Sequence, residues 1–423
     1  MTDERLTDES PPRRGLTRRG LITTAGVAGA GLGLGAAGYA LGQERAEEDG
    51  GDGTGTVPFW GDRQAGIVTA QQDRLHLAAF DVTAETPAEL EALLREWTAA
   101  AAALTAGLPA GPRNDEPLLP PDDTGEASGH LPSRLTITLG VGPGLFERDG
   151  VDRFGLRSRR PPELRQMPPL PAEAIDPDRS GGDLCVQACS DDPQVAFHAV
   201  RNLARIGRGS VVMRWSQLGF GRTATTTRAQ DTPRNLMGFK DGTNNVRAED
   251  SAELDQFVWV GDEAPEWLRG GSYMVTRRIR MLIESWDRTN LAEQERVIGR
   301  EKPTGAPLGG GSEFDQPDLA ARGPEGPVIA RDAHIRLSSG DALGTRILRR
   351  GYSFTDGFDE VTGQLDAGLF FICFQRDPGQ FETIQRNLSA DLLNEYIVHS
   401  SSAVFAIPPG AVEGGFVGDG LLS

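Results

Sequence analysis

Arg74-Leu-His-Leu-Ala-Ala-Phe-Asp-Val82 alternates as a β-strand, and Thr86–Ala106 follows it with helical periodicity. Thr86-x-x-Glu89, just ahead of the apolar run, is a capping-box signature and places the helix start. Leu135–Val141 and Leu184–Ala188 read as two further strands, Asp192–Ile206 as a helix opened by Asp-Pro, and Val211–Gln217 as a fourth strand. That order, β-α-β-β-α-β, makes one ferredoxin-like unit with an antiparallel sheet.

The pattern returns more loosely in the second half. Ser272–Ile283 reads as a strand, Asn290–Gly299 as a helix, and His334–Leu337 and Arg346–Phe354 as strands. Gly368–Gln375 is a strongly apolar strand, and Gln380 to Val398 reads as helix. The fold expected is therefore α+β, two tandem ferredoxin-like domains with antiparallel sheets. A junction near residue 220 gives an N-terminal domain over 57–220 and a C-terminal one over 221–423. Pro- and Gly-rich stretches at 108–133 and 302–327 read as long surface loops.

Ahead of both lies an address. Thr17-Arg18-Arg19-Gly20-Leu21-Ile22-Thr23 is a twin-arginine export motif, followed by an apolar run from Leu21 to Leu41. Gly26, Gly29, Gly31, Gly33, Gly35 and Gly38 make that run a signal core rather than a membrane helix. Small residues at Ala40 and Gly42 offer a cleavage site, with retention as an anchor the alternative. Residues 1–42 are read as the signal segment and 43–56, acidic and Gly-rich, as a disordered spacer. The expected partner there is the twin-arginine export machinery, and the expected location is outside the cytoplasm.

Composition narrows the rest. The chain carries a net charge of −18. Residues 1–42 hold five arginines and four acids, so the remainder carries −19. So acidic a surface argues against nucleic acid or anionic lipid as partner. Among 43 basic residues only Lys240 and Lys302 are lysine. Cys185 and Cys189, four apart on a strand, would place their Cα atoms about 13 Å apart at about 3.3 Å per residue. That is beyond the roughly 7 Å limit of a disulfide.

Three local contexts carry candidate chemistry. Asp241 stands in Asn235-Leu-Met-Gly-Phe-Lys-Asp241-Gly-Thr-Asn-Asn245, where glycines at 238 and 242 let the backbone approach a flat ligand. By itself an Asp-Gly pair is most often only a turn. His334, in Asp332-Ala-His334-Ile-Arg336, is one of five histidines with His76, His130, His198 and His399. Arg346, Arg349 and Arg350 cluster before Gly351, and alternation puts Arg349 and Gly351 on one strand face. A strand-end arginine is ordinarily a solvated charge, which is how Arg346 and Arg350 read.

Gly238-Phe-Lys-Asp241-Gly, Ala333-His334-Ile-Arg and Arg349-Arg-Gly351, in that order, resemble the motifs of the dye-decolourising (DyP-type) haem peroxidases. The exported, deferrochelatase-like branch is the most similar. Phe59-Trp-Gly61, Ser158-Arg-Arg-Pro161, Gly182-Asp-Leu184 and Phe371-Ile-Cys-Phe-Gln375-Arg-Asp377 add to the likeness, which spans nearly the whole mature chain. The resemblance implies one haem b per chain, in the C-terminal domain, with His334 as the proximal iron ligand. It implies catalytic roles for Asp241, relaying a proton between peroxide oxygens, and Arg349, holding charge on them. Gly242, Thr243 and Asn244, then Ser339, Gly340 and Asp341, would also contact the cofactor, as would Arg349. A proximal histidine gives its other N–H to a carboxylate, for which Asp391 is the candidate and Asp377 the second choice.

Two departures stand out. Arg63 replaces a histidine frequent in the family, and Ser338-Ser339-Gly340-Asp341 lacks the basic residue that often meets a haem propionate. That contact must come from elsewhere or be absent. The function implied is reduction of hydrogen peroxide with oxidation of dyes, phenolic or other bulky organic donors. The alternative is a haem-binding, deferrochelatase-like component of iron acquisition, with iron-uptake partners. Oligomeric state stays open, with a homodimer as one arrangement.

Overall fold

β1 (Arg74–Val82), β2 (Thr136–Val141), β3 (Leu184–Ser190) and β4 (Val211–Arg222) form an antiparallel sheet in the order β2-β3-β1-β4. This is a computed structural model, describing residues 55–112, 116–170, 173–324 and 326–423. The signal segment and residues 43–54 of the spacer lie outside the described residues. Strand alternation divides β1 between two cores: Ala78, Phe80 and Val82 face one, Leu75, Leu77 and Ala79 the other. Helices α1 (Pro87–Thr105) and α2 (Pro193–Ile206) pack on the first of these faces. Thr86 Oγ1 caps α1 by accepting from Glu89 N, while the Glu89 carboxylate accepts from Glu85 N, one residue before the usual capping-box partner.

The second unit repeats the arrangement. β5 (Ser272–Met281), β6 (Tyr352–Phe358), β7 (Leu365–Gln375) and β8 (Ile397–Ile407) lie in the order β8-β5-β7-β6, again antiparallel. The two sheets join at both edges, through Phe220↔Ser353 between β4 and β6 and Ala406↔Val141 between β2 and β8. The strands thus close into a ring. Its interior is filled from both halves, by Leu75, Leu77 and Cys185 from one and Met274, Phe354, Phe370, Phe374 and Phe405 from the other. All three cysteines are buried and unbridged.

Two expectations in this half fail. His334–Leu337 is not a strand but one helical turn, α4, closed by bonds from Leu337 N to Ala333 O and Ser338 N to His334 O. An alternating run of four residues fits one turn of helix equally well. The helix expected over 380–398 ends at Asn387 as α5 (Pro378–Asn387), and Ile397–Ile407 is the last strand. Serines at 400–402 hide its alternation, and a bulge between His399 and Ser401 shifts its register against β5. With β8 in place, the unit completes the same β-α-β-β-α-β order without the His334 segment.

The face of β5, β7 and β8 turned away from the ring interior carries Arg277, Ile279, Met281, Leu369, Phe371, Ile397 and His399. A strand-paired surface of this kind is rigid, and it forms the floor of a cavity of about 460 Å³.

Candidate active site

The acid-bearing turn is built by its own polar side chains. Asn235 Oδ1 accepts from Met237 N at 3.0 Å and from Phe239 N at 3.3 Å, folding the chain back on itself. Gly242, at φ +94°, lies so close to Ala224 that a Cβ would sit 2.6 Å from its Cα, so only glycine fits there. Asp241 is thereby held with its carboxylate lining the cavity. Arg349 Nη1 donates to Asp241 Oδ1 at 2.9 Å, and Asn235 Nδ2 reaches Oδ2 at 3.3 Å.

Arg349 comes from the two-residue strand Leu348–Arg349, paired with Cys373 and Phe374 of β7. On the other side Asn245, 5 % exposed, takes the place of a neighbouring strand. Its Oδ1 accepts from Arg349 N and its Nδ2 donates to Arg349 O, both at 2.8 Å.

His334 opens α4, which packs against the end of α3 (Leu291–Ile298), where Gly299 leaves room for the Ile335 side chain. Its Nδ1 lies 2.5 Å from Asp391 Oδ2, and the other Asp391 oxygen accepts from Leu393 N at 2.9 Å. The acid is buried, at 3 % side-chain exposure, whereas 35 % of the imidazole is open. Burial pulls the His334 pKa down, but the adjacent Asp391 carboxylate outweighs it and the net direction is upward. In the neutral ring a proton on Nδ1 directed at Asp391 leaves the lone pair on Nε2, which has no partner among the described residues.

All the cofactor-contact residues expected from sequence line this one cavity: Gly242, Thr243, Asn244, His334, Ser339, Gly340, Asp341 and Arg349, together with Asp241 and Asp391. Asp377 does not join them. It caps α5 through Gly379 N. The surface reading of two arginines also needs correction. Arg350 is fully buried, donating to Thr69 O and Gln72 Oε1, and Arg346 is tied to Asp341 at 2.7 Å and Glu253 at 3.2 Å. The carbonyl and amide acceptors offset part of the cost of burying the Arg350 charge, and the two carboxylates hold the half-buried Arg346 in place.

Three cavity residues escaped sequence reading. Arg277 and His399 sit on the sheet floor, brought together only by the pairing of β5 with β8. Glu313 lies in a loop that reads as surface, yet its carboxylate accepts from Lys240 Nζ at 2.6 Å and Thr243 Oγ1 at 3.0 Å. It therefore straps the rim segment to residues on both sides of Asp241. The one signal pointing there was Lys240, a rare lysine in an arginine-rich chain.

A two-unit ferredoxin-like ring with a His–Asp pair and an Asp–Arg pair in one cavity defines a class. The pattern of the Dyp-type peroxidase N-terminal domain matches residues 64–221 and that of the C-terminal domain matches 232–412. The chain belongs to the Dyp-type peroxidase family, and it is a haem peroxidase by that membership, reducing hydrogen peroxide at the expense of a donor.

Among its relatives is the deferrochelatase of Escherichia coli (strain K12), 40% identical over 374 residues, covering 86% of this chain and 87% of that protein. Ferric DtpA from Streptomyces lividans is 41% identical, with a TM-score of 0.79 over 87% of this chain and 98% of that one. The DyP-type peroxidase from Cellulomonas bogoriensis is 39% identical, with a TM-score of 0.77 over the same shares.

Proposed function

We propose that the cavity takes one haem b, with His334 Nε2 as the iron ligand, and that the protein works as a secreted peroxidase on bulky organic donors. The observation that carries this is the convergence of two pairs, His334–Asp391 and Asp241–Arg349, on one cavity. The residues fit the group: an imidazole nitrogen open to the cavity and a largely apolar floor of Ile279, Met281, Leu369 and Phe371. Haem bound there would supply the electrons that reduce hydrogen peroxide and recover them from the donor.

The chain's own part is proton and charge management. Asp391 fixes the His334 tautomer and makes the imidazole a stronger donor to iron. Asp241 Oδ2, which among the described residues has only the 3.3 Å contact to Asn235, has acceptor capacity left for a peroxide proton and can return it to the departing oxygen. Arg349, fixed by Asn245 through its backbone, offers its remaining N–H groups to the charge that develops on those oxygens. Steady-state turnover of peroxide with a dye or phenol tests this. Absence of turnover by haem-loaded protein would overturn it.

The name of the 40%-identical relatives supports a second reading, release of iron from haem. Loss of the iron signal with the porphyrin left intact would favour that reading over peroxide turnover. Export rests on Thr17-Arg18-Arg19 and the Gly-rich run behind it. Lysine at both Arg18 and Arg19 should hold the protein in the cytoplasm. Continued secretion, including from a variant lacking Arg13 and Arg14 as well, would contradict it.

A further inference from the structure

We propose that Arg277 and His399 form a carboxylate-binding end of the cavity and hold a propionate of the bound haem. This rests on the haem reading above and adds to it the recognition of the ligand's acidic edge. The loop after His334, Ser338-Ser339-Gly340-Asp341, offers no basic side chain for that task. Something else must meet the carboxylates if haem lies here.

Among cavity-lining residues, Arg346 is engaged by two carboxylates, Arg300 by the carbonyls of Gly305 and Glu313, and Arg349 by Asp241. Arg277 differs. It is 1 % exposed, Nη1 donates to Glu173 at 2.6 Å, and Nε and Nη2 have no partner among the described residues. Those two nitrogens form one side of the guanidinium, the parallel fork that matches a carboxylate bidentately. Leaving such donors buried and unmade is costly, so a ligand that fills them gains the whole difference.

Direction is set by the neighbours. Arg277 lies in the wall between two cavities and lines both: Glu173, on Nη1, belongs to the other, of about 730 Å³, whereas the Phe381 ring beneath the guanidinium lines the haem cavity. His399 stands on the adjacent strand, 6 % exposed, and its Nδ1 is also without a partner among the described residues. Burial, with Arg277 beside it, pushes the His399 pKa down to about 4. The ring is thus neutral in ordinary buffers and can donate one hydrogen bond without adding charge. On an otherwise apolar floor of Ile279, Met281, Leu369 and Phe371, these are the groups that ask for an anion.

The test titrates full-length apoprotein with haem and with haem dimethyl ester, whose propionates cannot ionise, reading the Soret band. Wild type should bind haem about 10- to 100-fold more tightly than the ester, the range of one charge-assisted bidentate contact. In Arg277→Gln that ratio should fall towards one while the ester's own affinity stays at the wild-type level, which a merely structural arginine would not leave intact. His399→Leu, which removes a ring Nδ1 with no partner among the described residues, should lower the ratio by a smaller factor and keeps the test open if Arg277→Gln does not fold. A wild type that does not distinguish the two ligands, or a preference for haem kept in His399→Leu and in folded Arg277→Gln, overturns the proposal. Failure of wild type to bind either ligand would instead sink the haem reading on which it rests.

Discussion

Asn245 clasps Arg349 by the backbone: one amide side chain satisfies both the N–H and the C=O of the arginine, each at 2.8 Å. The clasp fixes the distance between the Asp241 turn and the strand that carries its partner. Asn245→Leu should therefore act twice. It should cost about 1–3 kcal/mol in urea unfolding, because both backbone groups are left unmade. It should also slow the reaction with peroxide although Asn245 touches no reactant.

Asp241 and Arg349 share a direct 2.9 Å bond, so their effects should not add. Asp241→Asn and Arg349→Leu should each slow the reaction with peroxide by about 10²–10⁴-fold, measured by stopped-flow absorbance, with haem content unchanged. The double variant should lose less than the product of the two. Parental rates in both single variants would remove this pair from the chemistry.

Asp391 is buried with its two oxygens committed to His334 Nδ1 and Leu393 N. Asp391→Asn keeps the shape but removes the charge that orients and strengthens the imidazole. Haem affinity should drop about 10- to 100-fold by Soret titration. Unchanged affinity would mean that the histidine needs no such support.

The strap at Glu313 makes a pH prediction. Burial raises its pKa, but the bonds from Lys240, Thr232 and Thr243 prevail and hold it below the ordinary carboxylate range. A depressed folded pKa means stability that is present above the unfolded value of about 4.3 and is lost as pH falls through the folded value. Glu313→Gln should be less stable at neutral pH by about 1–3 kcal/mol and should lose part of the acid-side slope. Hydrogen exchange should also quicken over residues 302–317, the segment the strap ties down. A parental acid limb in the variant would contradict the assignment.

Legibility followed the range of the interactions. The first unit could be read because its strands and helices carry their own periods and caps, from Leu75, Leu77 and Ala79 to the Asp192 cap. Motif residues such as Asp241 and His334 announced themselves through local context, but the conformation of His334 did not, since one turn of helix and a short strand share the same polar pattern. The last strand was hidden by its serines. Arg277 and His399 are far apart in sequence and become neighbours only through a bulged register between β5 and β8. Glu313 lies in a Gly- and Pro-rich loop where nothing local distinguishes a strap from a solvated acid.

His334 Nε2 is the nitrogen proposed to hold the iron of a haem in this cavity. Soret titration of wild-type apoprotein and His334→Ala with haem tests it most directly. Wild type should bind one equivalent and give a histidine-ligated spectrum, while His334→Ala should bind weakly or with a visibly altered band. One equivalent bound by the variant with parental affinity and an unchanged spectrum would contradict the account.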